Sequence, residues 1–323
     1  MQDPETTPAP APASSPSPTD KYDPARLFRV PGLVAVVTGG GTGIGRTMAL
    51  ALAHNGARRV YVLGRRLDKL HETALLGPRR PSPSQPGDGD EPVIVPIQTD
   101  VTSKAQLAAA AARVAAEVGH VNLVLANAGA TGPDLVGVLP ATADGPKPTP
   151  AELQRHVFEH WTEERFGRVL EVNATAPFFT AVAFLELLDR GNKAGNTPGV
   201  PSQVVVTASV GSYVRAVLGK GGIPYNASKA AANHIFKMLG NLFLGYGIRA
   251  NILNPGVFPS EISEKFVFDA KTFPSAFIPA GRFGDETDIA GATLFLCSRA
   301  GAYLNGLSLL MDGGVLTMVP STY

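Results

Sequence analysis

Seven short apolar runs, most of them followed by enough chain to form a helix, restrict this sequence more than any other feature. They fall at residues 33–37, 60–63, 93–97, 121–125, 204–206, 249–253 and 307–311. The runs are nearly continuous rather than alternating, which marks strands covered on both faces and therefore a parallel sheet. Helix-like segments separate them, among them the alanine-rich stretch 104–118 and residues 227–245. Strand then helix, repeated, implies right-handed βαβ units. The predicted architecture is α/β, a doubly wound sheet of about seven parallel strands with helices on both faces.

Length and composition agree with that architecture. The 323 residues lie near the upper limit for one hydrophobic core. Eight prolines fall within residues 1–31, mixed with Ala, Ser and Thr, so residues 1–24 are expected to form a disordered tail and residues 25–323 a single domain. Proline- and glycine-rich insertions at 77–92, 139–150 and 191–201 are expected as surface loops, and there is no internal repeat. With 28 basic and 27 acidic side chains the formal charge is +1, which argues against a broadly basic nucleic-acid binder. No apolar run approaches the roughly 18 residues that span a bilayer, so no membrane partner is expected. The first residues do not read as a secretory signal, nor the last three as a peroxisomal one. The lone Cys297 can form neither an intrachain disulfide nor a cysteine-based zinc site. It is expected to fill core in a reducing compartment, and the expected location is cytoplasmic.

The first run ends in Thr38-Gly-Gly-Gly-Thr-Gly-Ile-Gly45 and leads into a helix-like segment, 46–54. A strand, a glycine turn and a helix N-terminus let a phosphate approach backbone N–H groups and the positive end of the helix dipole. About 20 residues on, a dinucleotide site selective for NAD would carry a carboxylate for the ribose hydroxyls. Here the second strand ends in Leu63-Gly-Arg-Arg66. Two guanidiniums can instead bind a 2′-phosphate, which favours NADP(H), with Arg65 ahead of Arg66. The alternative is that both arginines merely open a solvated helix, Asp68 pairing with Arg65.

Tyr225-Asn-Ala-Ser-Lys229 places a phenol and an amine one helical turn apart. A phenol titrates near 10, and bringing it to about 7 takes about 4 kcal/mol. One ammonium about 4 Å away supplies roughly that much at an effective dielectric near 20. The pair therefore reads as a tuned acid/base. Ser209 ends the preceding strand segment, at the edge of the sheet where open α/β folds bind ligands.

These motifs, in this order, resemble the short-chain dehydrogenase/reductase superfamily over about residues 27–316. The glycine motif Thr38–Gly45 matches T-G-x-x-x-G-x-G, with Gly39, Thr42, Gly43, Ile44 and Gly45 at the cofactor. Asp100 and Val101 match the adenine contact, and Asn127-Ala128-Gly129 matches the N-A-G turn. Asn173, Ser209, Tyr225 and Lys229 match the catalytic tetrad. Pro255, Gly256, Val257 and Ser260 match the stretch at the nicotinamide carboxamide, with serine in place of threonine. Asn305-Gly306 and Met311–Gly314 are also typical. Residues 184–188 and 255–261 are similar to fungal reductases often found in secondary metabolism.

The resemblance implies a Rossmann-type fold and an NADP(H)-dependent oxidoreductase interconverting a carbonyl and an alcohol. Ser209 and Tyr225 would hold the substrate oxygen. Lys229 would lower the tyrosine pKa and bind the ribose, and Asn173 would hold a water linked to Lys229. Partners would be a small-molecule ketone or alcohol and further copies of the chain, as a homodimer or homotetramer. A widened gap of 16 residues between Ser209 and Tyr225 leaves Ser212 as an alternative serine. Phe266, Phe268, Phe273, Phe277 and Ile278, between Phe258 and Phe283, are expected in a lid that would select a bulky apolar or aromatic substrate. Two alternatives are a cofactor-binding enzyme of this scaffold with no net redox, and a nonenzymatic nucleotide sensor. His156-Val-Phe-Glu-His160 spells a zinc-peptidase pattern without an obvious third ligand. No metal is expected there, and Val157 and Phe158 are expected to pack an amphipathic helix.

Overall fold

A computed structural model describes residues 20–81, 90–139, 145–216, 222–261, 263 and 278–323. In chain order the strands are β1 (Val34–Thr38), β2 (Arg59–Gly64), β3 (Arg79–Pro81), β4 (Asp90–Pro92), β5 (Ile94–Gln98), β6 (Leu123–Ala126), β7 (Gln203–Thr207), β8 (Arg249–Pro255) and β9 (Ser308–Met311). The helices are α1 (Pro24–Phe28), α2 (Gly43–His54), α3 (Leu67–Leu76), α4 (Lys104–Val118), α5 (Pro150–His160), α6 (Glu163–Leu170), α7 (Ala176–Ala183), α8 (Leu185–Ala194), α9 (Ile223–Leu242) and α10 (Glu286–Cys297).

All seven apolar runs coincide with strands of one parallel sheet, ordered β5-β2-β1-β6-β7-β8-β9. Alternate residues of one strand serve opposite cores, which is why the runs are continuous. Val34 and Val36 of β1 join Phe184, Phe236 and Phe243 on one face, while Ala35 and Val37 join Met48 and Leu52 on the other. Cys297 is buried in the second core. From β1 the chain builds outward to β2 and β5, then returns to place β6 on the other side of β1. The strand order therefore reverses between β1 and β6, and their carboxyl ends open a crevice there.

The structure also departs from the sequence expectations. Asp20–Tyr22 form a 3-10 turn leading into α1, so regular structure begins before residue 25. The insertion at 77–92 contains an antiparallel pair, β3 with β4, tied to the sheet by Arg59 and Glu91. Phe158 does not pack its helix: α5 has no buried residue, and the Phe158 side chain is 82% exposed. A capping box between Thr149 and Glu152 holds that helix at its first turn instead. Of the expected lid, Phe266, Phe268, Phe273 and Phe277 lie outside the described residues, whereas Phe258 and Ile278 at its ends are buried. Among the described residues, no single helix is long and apolar enough to cross a membrane.

Candidate active site

The glycine turn is shaped by backbone that side chains would block. Gly43 adopts a positive φ of 51°, and a Cβ there would lie 3.1 Å from Cβ of Ser260. A Cβ on Gly45 would lie 2.3 Å from the Gly39 carbonyl oxygen and 2.5 Å from Nδ2 of Asn127. Replacing Gly45 with alanine is therefore expected to push the turn apart and weaken dinucleotide binding at least about tenfold, at about 1.4 kcal/mol per decade. Titration of the variant with NADPH checks this, and an unchanged Kd would refute it.

Thr42 is the N-cap of α2, and its side chain makes no capping hydrogen bond. The N–H groups of that first turn thus face the crevice and suit an anion. Thr38 Oγ1 accepts hydrogen bonds from the backbone N–H groups of Asn127 (3.0 Å) and Ala128 (3.1 Å), while Asn127 Nδ2 donates to the Thr38 carbonyl (3.1 Å). These bonds lock the ends of β1 and β6 side by side.

Arg65 and Arg66 leave the end of β2, both exposed. Arg66 is engaged across the crevice, donating to both carboxylate oxygens of Glu261 at 2.9 and 2.6 Å. Asp100 accepts from the Thr102 backbone N–H and hydroxyl at 3.0 and 2.7 Å. Those bonds, with the field of Arg168 and Arg65, hold its carboxyl below the usual carboxylate range.

At the other end of the crevice, β7 stops at Thr207 and Ser209 caps a 3-10 turn, its Oγ accepting from the Gly211 N–H at 3.1 Å. The same hydroxyl stands near enough to the Tyr225 phenol to favour its ionised form. Ser212 instead donates to Asn254 at 3.2 Å, so the serine beside Tyr225 is Ser209. Lys229, on the same face of α9, donates from Nζ to the Thr207 carbonyl at 2.7 Å and stands 5.8 Å from the Tyr225 ring centre.

One electrostatic expectation is overturned. Burial raises the Tyr225 phenol above its ordinary value, with the nearby Ser209 hydroxyl opposing the rise. Burial also lowers the Lys229 amine to about 8. The amine donates to the Thr207 carbonyl, and desolvation is the largest influence on the phenol. The protein alone therefore keeps the phenol protonated at neutral pH.

Asn173 lies in a π-helical turn, Glu171–Thr175, between α6 and α7. Its Nδ2 donates to the Ala130 carbonyl and to Ser228 Oγ, both at 2.9 Å, and its Oδ1 accepts from the Ala130 N–H at 2.8 Å. Ser228 in turn donates to the Tyr225 carbonyl at 2.7 Å. Asn173 thereby joins the loop after β6 to the helix carrying Tyr225. Sequence reasoning missed Ser228, whose signal was its place three residues after the tyrosine, on the same helix face.

The crevice forms one cavity of about 920 Å³. Most of the expected residues line it: Gly39, Thr42, Gly43, Ile44, Arg65, Arg66, Asp100, Val101, Asn127, Ala128, Gly129, Ser209, Tyr225, Lys229, Pro255, Gly256, Val257 and Ser260. Thr38, Gly45 and Asn173 stand behind the wall and shape it. Among the described residues, no group of three or more His, Cys, Asp or Glu could hold a metal ion. An anion cradle at the glycine turn and a hydroxyl pair about the far end fit an elongated dinucleotide with its reactive ring at Tyr225.

A family model described as short chain dehydrogenase matches residues 33–270. The chain belongs to the short-chain dehydrogenase/reductase family. It is 39% identical over 306 residues to the short-chain dehydrogenase/reductase PhomF of Diaporthe leptostromiformis, covering 93% of this chain and 96% of that protein. Among solved short-chain dehydrogenases it is similar to the NADP active-site complex of Pseudomonas aeruginosa RhlG. The TM-score is 0.68 at 26% identity, over 90% of this chain and 98% of that one. It is also similar to a gluconate 5-dehydrogenase from Burkholderia cenocepacia in complex with NADP and tartrate. Here the TM-score is 0.69 at 27% identity, over 91% and 98% of the two chains. Members of this family are oxidoreductases that bind a nicotinamide cofactor.

Proposed function

We infer that the protein is an NADP(H)-dependent reductase of a bulky apolar or aromatic ketone, in the manner of fungal secondary metabolism, with Tyr225 as the general acid. The observation that carries this reading is the convergence of Ser209, Tyr225 and Lys229 at one end of a cavity whose other end holds Arg65 and Arg66. A bound nicotinamide would supply or accept the hydride. Ser209 and Tyr225 would each donate a hydrogen bond to the substrate carbonyl oxygen and stabilise its developing negative charge. A phenol kept protonated by burial suits this direction, because an alkoxide is a far stronger base than a phenolate and takes the proton readily. Lys229, with its amine near 8, exchanges a proton close to neutral pH and reaches the Thr207 carbonyl beside the phenol. Asn173 and Ser228 position the helix that carries both groups.

Arg65 is assigned to the 2′-phosphate, with Arg66 beside it. Initial rates with NADPH and NADH on bicyclic aryl ketones such as 1-tetralone test the reading. NADPH is expected to be preferred at least tenfold in kcat/KM. A preference for NADH, or conversion of substrate without NADPH consumption, would overturn it. Arg65→Ala is expected to raise the NADPH Kd about tenfold, the value of one lost charge-assisted pair, and to leave NADH within twofold.

A further inference from the structure

Among the described residues, Glu261 reaches across the crevice and hydrogen-bonds Arg66 of the arginine pair. It follows Ser260, whose Cβ lies against the glycine turn. Its segment is anchored. Ser263 Oγ donates to the Phe258 carbonyl at 2.6 Å, the Ser260 N–H donates to Ser263 Oγ at 2.7 Å, and Phe258 is buried over Gly284. The carboxylate is thus held at the mouth of the crevice rather than waving in solvent. Arg66 meets it fork to fork and also approaches Thr42 Oγ1 at 3.5 Å, so the pair bridges the crevice from the end of β2 to the end of β8. Glu261 takes the end-on fork of Arg66, Nη1 and Nη2, so a phosphate that is to use this fork must displace the carboxylate.

We propose that Glu261 sets cofactor selectivity by occupying Arg66 in the free protein, so that a ribose 2′-phosphate must displace it to gain the guanidinium. This rests on the NADP(H) reading above. The phosphate carries nearly twice the charge of the carboxylate and wins the exchange, but its affinity is lowered by the contact it breaks. The pair is half exposed, at 54% and 46% of the two side chains, so the penalty is a few-fold rather than orders of magnitude. NADH breaks no such contact, and Glu261 therefore narrows the preference that the arginines create.

Glu261→Gln keeps the side chain's size and removes its charge. In equilibrium titrations of the full chain it is expected to lower the Kd for NADPH and for 2′,5′-ADP about fivefold, with the NADH Kd unchanged within twofold. In an Arg66→Ala background the same substitution is expected to leave NADPH binding unchanged. Weaker NADPH binding by Glu261→Gln would show that the pair grips the cofactor from outside and would overturn the exchange. So would an equal gain for NADPH and NADH, which marks only the general field of the carboxylate. A wild-type protein that binds NADH more tightly than NADPH refutes the cofactor reading itself. One that prefers NADPH by a ratio Glu261→Gln leaves untouched refutes the exchange alone.

Discussion

Tyr225→Phe is expected to lower kcat for ketone reduction about 1,000-fold while the NADPH Kd stays within twofold. The variant removes only the phenol oxygen, and with it the acid and one of the two hydrogen bonds that the proposed mechanism directs at the developing alkoxide. A positioned proton donor contributes about 10²- to 10⁴-fold, and a lost oxyanion donor contributes further. The ring remains in place on α9, and Ser209 keeps its bond from the Gly211 N–H, so the crevice should hold its shape. Stopped-flow single turnovers, with cofactor titration on the same preparation, separate the two effects. Activity within tenfold of wild type would contradict the role assigned to the phenol, and lost cofactor binding would show that the substitution collapsed the crevice.

Lys229→Met should cost activity and add stability, because the ammonium is only 4% exposed and has no carboxylate among its hydrogen-bond partners. Its amine is lowered to about 8 by burial alone. The folded state therefore binds fewer protons than the unfolded state between about pH 8 and the usual lysine value near 10.4. Burying the charge costs about 3 kcal/mol below pH 8, and that cost fades as pH rises towards 10.4. Methionine removes it but leaves the Thr207 carbonyl without its partner, which returns about 1 kcal/mol. The expected net is a Tm about 5 °C higher at pH 7, shrinking towards zero or below at pH 10. Turnover should fall at least about 100-fold. A lower Tm at pH 7 would mean that the contact to Thr207 outweighs desolvation.

The sequence by itself determined the sheet and its direction. Continuous runs such as residues 34–38 can be covered on both faces only in a parallel, doubly wound arrangement, and that arrangement brings the end of β1 to the end of β6 wherever the intervening loops go. The glycines at 43 and 45 and the helical spacing of Tyr225 and Lys229 were legible for the same reason, since each depends on local backbone geometry. The tertiary structure decided what lies far apart along the chain. It set Ser209 near the phenol, while Ser212 turns to Asn254. It gave Asn173 partners at Ala130 and Ser228 and Arg66 a partner at Glu261, 195 positions away. It also reversed the expected electrostatics at Tyr225. Spacing reports how near a charge can come, but desolvation depends on every element packed around the group, and here burial wins.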